Sequence, residues 1–443
     1  MTQLDPQKQH AFALRVVERL RGAGFEALLA GGCVRDQLLN LTPHDYDVAT
    51  SATPAAIREV FGRRHTLEIG AAFGVIAVIG HKDEGLIEVT TFRQDAGYTD
   101  GRHPDSVVFT TAEEDAKRRD FTINGLFYDP VAGRTIDYVD GQRDLELRIL
   151  RAIGDPRARF SEDKLRMLRA VRMAARFDFA LEADTAAAIN EMAETITVVS
   201  AERIAQEMRK ILVHPSRSRA IELLAETRLL AVLLPELPLI AQFAHVGGPI
   251  SPTPELWPNL QRVLNGLGEP SFSLALAALL SPLAEAQWWT GGAYADELPS
   301  AALQIAGEIC DRWKLSNKES DRVVWLLERR RGVAGAATQP WSQLQRLLIQ
   351  PGARELLALA EAEAKARGQS TTDVEHCRLL LELPAGELNP PPLVTGNDLA
   401  AHGVPAGEIY KRLLETIRDA QLDGKIANRA EALVLVDEIL RER

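Results

Sequence analysis

The sequence predicts an α+β fold laid out unevenly, with a mixed sheet and its helices in the N-terminal third and helices alone thereafter. Three observations carry that expectation. Strand-length β-branched runs, such as Phe73 to Ile79 and Leu86 to Arg93, lie before about residue 154 between turn residues. From Asp184 onward, apolar residues recur at helical spacing almost without a break. The chain's 443 residues also exceed what one compact core accommodates, so about two to four domains are expected.

Bulk composition bounds the function classes. Hydrophobic residues make up 46% and charged residues 26%, a globular balance, and no apolar run approaches the roughly 18 residues that would span a bilayer. The N-terminal M-T-Q-L-D-P-Q-K-Q-H lacks a basic-then-apolar leader pattern, so a cytoplasmic location is expected. Cys33, Cys310 and Cys377 are too scattered for a disulfide framework or a zinc cluster. The net charge of −11 speaks against broad nucleic-acid binding, yet Arg143 to Arg176 holds ten Arg or Lys against five Asp or Glu. A polyanion would bind at such a strip, while the acidic remainder discourages non-specific contacts.

Taken in order, residues 6 to 22 read as an amphipathic helix with Phe12, Val16, Val17 and Leu20 on one side. Leu28 to Thr53 then reads as an apolar strand, the pair Gly31-Gly32, a helix from near Cys33, and an acidic strand carrying Asp45 and Asp47. Two glycines after a strand let the backbone approach an anion, and a helix start offers free N–H groups. Arg35 adds a cation where phosphate oxygens would lie. Asp45 and Asp47, two apart on a strand, share a face and suit a hard divalent cation such as Mg²⁺. Thr53 and Pro54 cap and open the next helix. Strands are expected around His65 to Glu68, from Phe73 and from Leu86. The last of these sets Glu88 opposite Ile87 and Val89, making Glu88 a candidate third carboxylate.

A polar loop spans residues 94 to 106, and a helix capped by Thr110 or Thr111 precedes K-R-R-D-F-T-I-N at 117 to 124. There Arg118 and Arg119 can neutralise a triphosphate, and Asp120 and Asn124 can hydrogen-bond a ribose hydroxyl. In D-Y-V-D-G-Q-R-D-L, Gly141 supplies a turn that Asp137 and Asp144 pin. The helix S-E-D-K-L-R-M-L-R-A-V-R-M-A-A-R-F, started by Ser161 or the carboxylates behind it, buries Leu165, Leu168, Val171 and Ala175. Asp163, Arg166, Arg169 and Arg172 fall every three residues on an adjoining face. A surface ion pair from Glu162 or Asp163 to Arg166 is one reading. The other is that the arginine row, continued by Arg176, is not self-neutralised and requires an external anion.

The order strand, Gly-Gly, Arg, paired carboxylates resembles the nucleotidyltransferase superfamily headed by DNA polymerase β. The fuller string G-G-x-V-R-D, then D-x-D-V-A-T-x-A-T-P, resembles the bacterial and eukaryotic type of tRNA nucleotidyltransferase and its relative, bacterial poly(A) polymerase. R-R-D-F-T-I-N is similar to that family's second motif, residues 137 to 145 to its hinge, and E-R-I-A-Q-E at 202 to 207 to its neck motif. The resemblance implies a polymerase-β-like nucleotidyltransferase head at 1–154, a helical neck at 155–216, a helical body at 217–335 and a tRNA-binding tail at 336–443. It implies addition of CCA to tRNA from CTP and ATP, without a nucleic-acid template. Two Mg²⁺ ions would be held by Asp45 and Asp47, with Glu88 the third carboxylate of some members. Gly31, Gly32, Arg35, Arg118, Arg119, Asp120, Asn124, Asp163, Arg166, Arg169 and Arg172 would bind the nucleotide. Asp163 and Arg166 would read the base, since cytosine and adenine both pair an exocyclic amino donor with a ring acceptor. Uracil and guanine would set an oxygen against the carboxylate. The 94 to 106 loop would help switch from C to A addition.

Addition of CC or A alone, poly(A) polymerisation, and an inactive RNA-binding protein are the rival readings. Phe73-Gly74-Val75-Ile76 and the C-terminal L-V-T-G-N-D-L unit follow the tRNA-enzyme pattern. Beyond the neck, a Pro/Gly-rich break at 245 to 258, a capping box at Ser316 to Glu319 and Pro390 to Pro392 mark helix boundaries.

Overall fold

The computed structural model describes residues 5–97, 106–237, 256–284, 300–405 and 407–441. These fall into two compact units, one within residues 1–245 and one within 246–443. Most of the loop expected at 94 to 106, and the break expected at 245 to 258 as far as residue 255, lie outside the described residues.

The first unit is built on a seven-stranded sheet. Its strands are β1 (Ala27–Ala30), β2 (Asp47–Thr50), β3 (Thr66–Gly70), β4 (Val75–Ile79), β5 (Leu86–Thr91), β8 (Leu126–Asp129) and β9 (Arg134–Asp137). They run in the order β3-β4-β5-β2-β1-β8-β9, and only β2 and β5 pair in parallel, so the sheet is mixed as expected. A separate hairpin, β6 (Arg93–Ala96) with β7 (Ser106–Phe109), follows β5.

One face of the sheet is covered by α1 (Pro6–Gly22) and α3 (Pro54–Phe61). Phe12, Val16, Val17 and Leu20 of α1 are all buried, and Asp5 caps the helix through the amides of Gln7 and Lys8. Thr53 caps α3 through the Ala56 amide with Pro54 at the first helical position, as its sequence requires. On the opposite face, α4 (Ala112–Lys117), capped by Thr111, packs Ala112 and Ala116 against Leu28, Ala30, Ala49 and Phe127.

A helical array completes this unit: α5 (Gly141–Leu147), α6 (Pro156–Glu162), α7 (Leu165–Phe177), α8 (Ala183–Met192), α9 (Ala201–Val213), α10 (Arg217–Glu226) and α11 (Leu229–Leu233). Two expectations need correction. Ser161 does not start the helix that carries the arginine row; it lies in α6, and Asp163 breaks the chain with extended φ/ψ before α7 begins. Asp163 still supplies the cap-like bond, its Oδ1 accepting from the Leu165 amide at 3.0 Å. At the 137 to 145 turn, the left-handed residue is Asp140 (φ 60°), not Gly141. Gly141 is required for space, because a Cβ there would collide with the Thr122 carbonyl. Asp137 pins the turn by accepting from the amides of Val139, Gly141 and Gln142, and Asp144 accepts from the Thr122 hydroxyl.

The second unit is helical throughout its described residues. Ser316 and Glu319 form the expected capping box on the Asn317–Arg329 helix. A second box, Thr395 with Asp398, starts the Gly396–Ala401 helix. The last helices, Ile409–Leu422 and Arg429–Arg441, close over Leu399, Leu413, Ile417, Ala432 and Val436. The three cysteines are free thiols and buried.

Candidate active site

A polar cavity of about 560 Å³ opens between the edge of the sheet and helix α7. It gathers Gly31, Gly32, Arg35, Asp45, Asp47, Arg118, Arg119, Asp120, Asn124, Asp163, Arg166, Arg169 and Arg172. Glu88, the other candidate, is not in its wall. A second cleft of about 590 Å³, between the short Ala180–Leu181 strand, α8 and α10, contains none of these residues.

The wall on the sheet side begins where β1 turns into α2 (Gly32–Leu38). Gly31 has φ 72°, and a Cβ there would sit 2.7 Å from Arg119 Nη1, so only glycine fits. Its amide donates to the Leu126 carbonyl at 2.9 Å, fixing the turn against β8. Asp47 is the first residue of β2, whereas Asp45 lies in the lead-in and not on a strand as expected. Both still face the cavity. Burial first, then the neighbouring carboxylates Asp45 and Glu88, push the Asp47 pKa up to about 7, and the Arg119 charge opposes them only in part. Parallel register sets Glu88 of β5 directly beside Asp47, on the side away from the cavity.

Arg118 and Arg119 are held by one fully buried carboxylate. Asp115 accepts from Arg118 Nη2 at 2.7 Å and from Arg119 Nη2 at 3.0 Å, and Arg119 also lies 5.0 Å from the Phe127 ring centre. Arg35, expected as a cation beside the Gly-Gly turn, is fixed there: it bonds Asp36, donates to Asn124 Oδ1 at 2.6 Å and stacks 4.5 Å from the Phe177 ring centre. Asn124 in turn donates to Asp120 Oδ1 at 2.9 Å, and Asp120 Oδ2 takes Arg169 at 2.6 Å. Burial alone would raise the Asp120 pKa, but the Arg169 charge and the bonds from Asn124 and Arg169 bring it well below the usual carboxylate range.

On the α7 side the ion-pair reading holds for Glu162 and Arg166, and the view that the rest of the arginine row lacks internal partners is corrected. Arg166 pairs with Glu162, Arg169 with Asp120, and Arg172 with Glu207 of α9 at 2.7 Å. Arg176 alone of the row has no carboxylate partner among the described residues; its guanidinium lies 5.1 Å from the Phe177 ring centre. Asp163 and Arg166 do not pair with each other. Asp163 Oδ2 accepts from Arg203 Nη2 at 2.8 Å, and Arg166 Nη1 donates to Glu162 and to the Arg159 carbonyl. Arg166 Nε and Nη2 are therefore left to donate elsewhere, and the Asp163 carboxylate keeps unused lone pairs. Reading by sequence missed Arg203, Asp115 and Phe177. Arg203 lies within E-R-I-A-Q-E, so the motif gave a signal for it.

Comparison with known proteins decides the family. Residues 27–151 match the model of the poly A polymerase head domain, 178–240 that of the probable RNA and SrmB-binding site of polymerase A, and 285–436 that of tRNA nucleotidyltransferase domain 2. The chain is 33% identical over 424 residues to the CCA-adding enzyme of Lactobacillus gasseri, covering 95% of each protein. The chain belongs to the CCA-adding enzyme family. A relative from Geobacillus thermodenitrificans is 32% identical over 435 residues, again with 95% of each covered. Among solved structures, the CCA-adding enzyme of Bacillus stearothermophilus in complex with CTP shares 30% identity and superposes with a TM-score of 0.72 over 97% of this chain and 98% of its own. The Thermotoga maritima CCA-adding enzyme complexed with tRNA, at 20% identity and a TM-score of 0.65, shares the fold.

Proposed function

We propose that this protein adds CCA to the 3′ end of tRNA, using CTP and ATP and no nucleic-acid template. The observation that carries the proposal is the cavity itself, which opposes Asp45 and Asp47 to a fixed Asp163 and Arg166. The relatives named above as CCA-adding enzymes support it.

The carboxylates fit a divalent metal. Asp45 and Asp47 are hard oxygen donors facing the cavity, and burial first, then the carboxylates of Asp45 and Glu88, raises the Asp47 pKa; among the described residues no three such groups converge into a ready-made metal cage. Members of this family generally use such a metal; here Asp45 and Asp47 would hold two Mg²⁺ ions, with Glu88 adjoining. When bound, the metal activates the RNA 3′-hydroxyl and stabilises the leaving pyrophosphate.

The remaining steps belong to the chain's own groups. Gly31 and Gly32 let the triphosphate approach the backbone, while Arg118 and Arg119, oriented by Asp115, balance its charge. Asp120 and Asn124 border the ribose position, and Arg169 and Arg172 line the way to the base. Asp163 accepts from the 4-amino group of cytosine or the 6-amino group of adenine, while Arg166 Nε or Nη2 donates to the ring acceptor. Because Arg203, Glu162 and the Arg159 carbonyl fix both side chains beforehand, the pair is rigid before a nucleotide arrives. The domain boundaries expected from sequence, with a tRNA-binding tail at 336–443, and a cytoplasmic location belong to the same proposal.

The test is incubation of purified protein and Mg²⁺ with a tRNA lacking CCA and labelled CTP, ATP or both. The proposal expects two C additions with CTP and a final A when both are present. Long A tails would indicate a poly(A) polymerase, and A transfer only to a CC end an A-adding enzyme. Either would overturn it.

A further inference from the structure

The sheet that carries Asp47 also carries an exposed apolar shelf that the nucleotide cavity does not use. Strand register aligns one row of side chains across all seven strands: Ile136, Phe127, Ala30, Asp47, Glu88, Ala77 and Leu67. Directly opposed residues point to the same face. At one end of the row α4 covers Ala30 and Phe127, which are buried. At the other end Glu88 is exposed and Leu67 is 46% exposed, while the small Ala77 between them is buried. Leu86, two residues from Glu88 and on its face, is also 46% exposed, and Ile69 on the same edge strand 52%. Asp47 stands at the boundary between the covered and the open half.

The covered side of that boundary is where the cavity with Arg119, Asn124 and α7 lies. A nucleotide seated there leaves the exposed Glu88 side of Asp47 open for the attacking hydroxyl. From Asp47 to Leu67 is three strand spacings, about 14 Å. At the entry to β3, Arg63, Arg64 and His65 are all exposed and have no carboxylate partner among the described residues. Glu68, which alternates to the other face, is held by Arg58 of α3.

We propose that Leu86, two residues from Glu88 on β5, and Leu67, two strands away on β3 across Ala77, form the platform on which the 3′-terminal nucleotides of the acceptor RNA lie, with Arg63, Arg64 and His65 meeting its phosphates. This rests on the reading of the protein as an RNA nucleotidyltransferase. Aliphatic side chains offer a flat apolar contact to a terminal base and ribose, and the unpaired cations offer sequence-independent charge. The shelf thereby directs the 3′-hydroxyl toward Asp47 from the side opposite the incoming nucleotide.

The experiment compares the full-length parent with Leu67→Ser/Leu86→Ser, both exposed positions whose change should leave the melting temperature unaltered. With tRNA lacking CCA, kcat/KM for the RNA should fall about tenfold, the effect of losing part of two aliphatic contacts, while KM for CTP moves less than about twofold. Arg63→Gln/Arg64→Gln should weaken RNA binding and flatten its salt dependence. RNA parameters within twofold of the parent in the serine variant, or an equal loss toward CTP, would overturn the proposal. A second readout works without catalysis: a tRNA ending in 2-aminopurine should change emission on binding the parent and not on binding the serine variant. If the parent adds no nucleotide yet this difference appears, the proposed reaction fails and the shelf stands. If the two proteins give the same change, the shelf fails.

Discussion

The two walls of the cavity treat charge in opposite ways. On the sheet side, Asp45 and Asp47 line the cavity and Glu88 adjoins Asp47; burial first, then these carboxylates, push Asp47 up to about 7 against the Arg119 charge. On the α7 side, Arg166, Arg169 and Arg172 each meet a carboxylate supplied by another helix or by the 117 to 124 segment. The difference teaches what each wall is for. On the proposed reading, a divalent cation from solution would complete the first wall, whereas the second, balanced internally, holds fixed donors and acceptors.

The largest effect should come from the unbalanced wall. Asp45→Ala or Asp47→Ala should lower nucleotide incorporation by about a thousandfold or more, roughly 4 kcal/mol of transition-state stabilisation, with the fold intact by circular dichroism. Asp47→Asn sharpens the contrast. A carboxyl whose folded pKa is raised to about 7 destabilises the folded state once ionised, so the metal-free parent should lose stability as pH rises from about 4 to about 7. In metal-free buffer at pH 8 the Asn variant should therefore melt no lower than the parent. Mg²⁺ should raise the parent's melting temperature and leave the variant's unchanged. A variant that melts well below the parent without metal would mean the wall is balanced after all.

The balanced wall should respond in the reverse sense. Glu207 is buried, which alone would raise its pKa, but Arg172 and Lys210 lower it below the usual value. Arg172→Met leaves that carboxylate with Lys210 alone and should cost about 2–4 kcal/mol of stability at pH 7. The parent's pair contributes above about pH 4 and is lost as pH falls through the depressed folded pKa. Acid unfolding of the variant should accordingly begin at higher pH than in the parent. Denaturant melts across pH 3–8 check both statements.

The same contrast explains what could be read from sequence. Gly31, the Thr53-Pro54 cap and the Ser316–Glu319 box depend on neighbours within a few residues, and the chain spells them out. Arg166 meets Glu162 four residues away, a pair the sequence offers directly, whereas Arg172 reaches Glu207 across 35 residues and Arg169 reaches Asp120 across 49. No local pattern announces the two distant pairs, so the later arginines of the row read as unneutralised. Asp45 was placed on a strand because two-residue spacing suggested one, whereas pairing with β1 starts only at Asp47. Glu88 was legible as a carboxylate on the exposed face of its strand. Its place beside Asp47 comes from sheet register, which pairs strands about forty residues apart in sequence.

The smallest of these effects bears most directly on the claim that a rigid, charge-balanced pair selects the base. It is kcat/KM for CTP, ATP, UTP and GTP, measured on the parent and on Asp163→Ala. The substitution removes the acceptor for the amino group of C or A, together with the carboxylate that opposes the uracil oxygen. The CTP-to-UTP preference should fall by about 1–3 kcal/mol, the size of one base-edge contact. If Asp163 merely anchors Arg203 and the start of α7, the variant will lose stability while its CTP-to-UTP ratio stays at the parent's value, and that result would contradict the account.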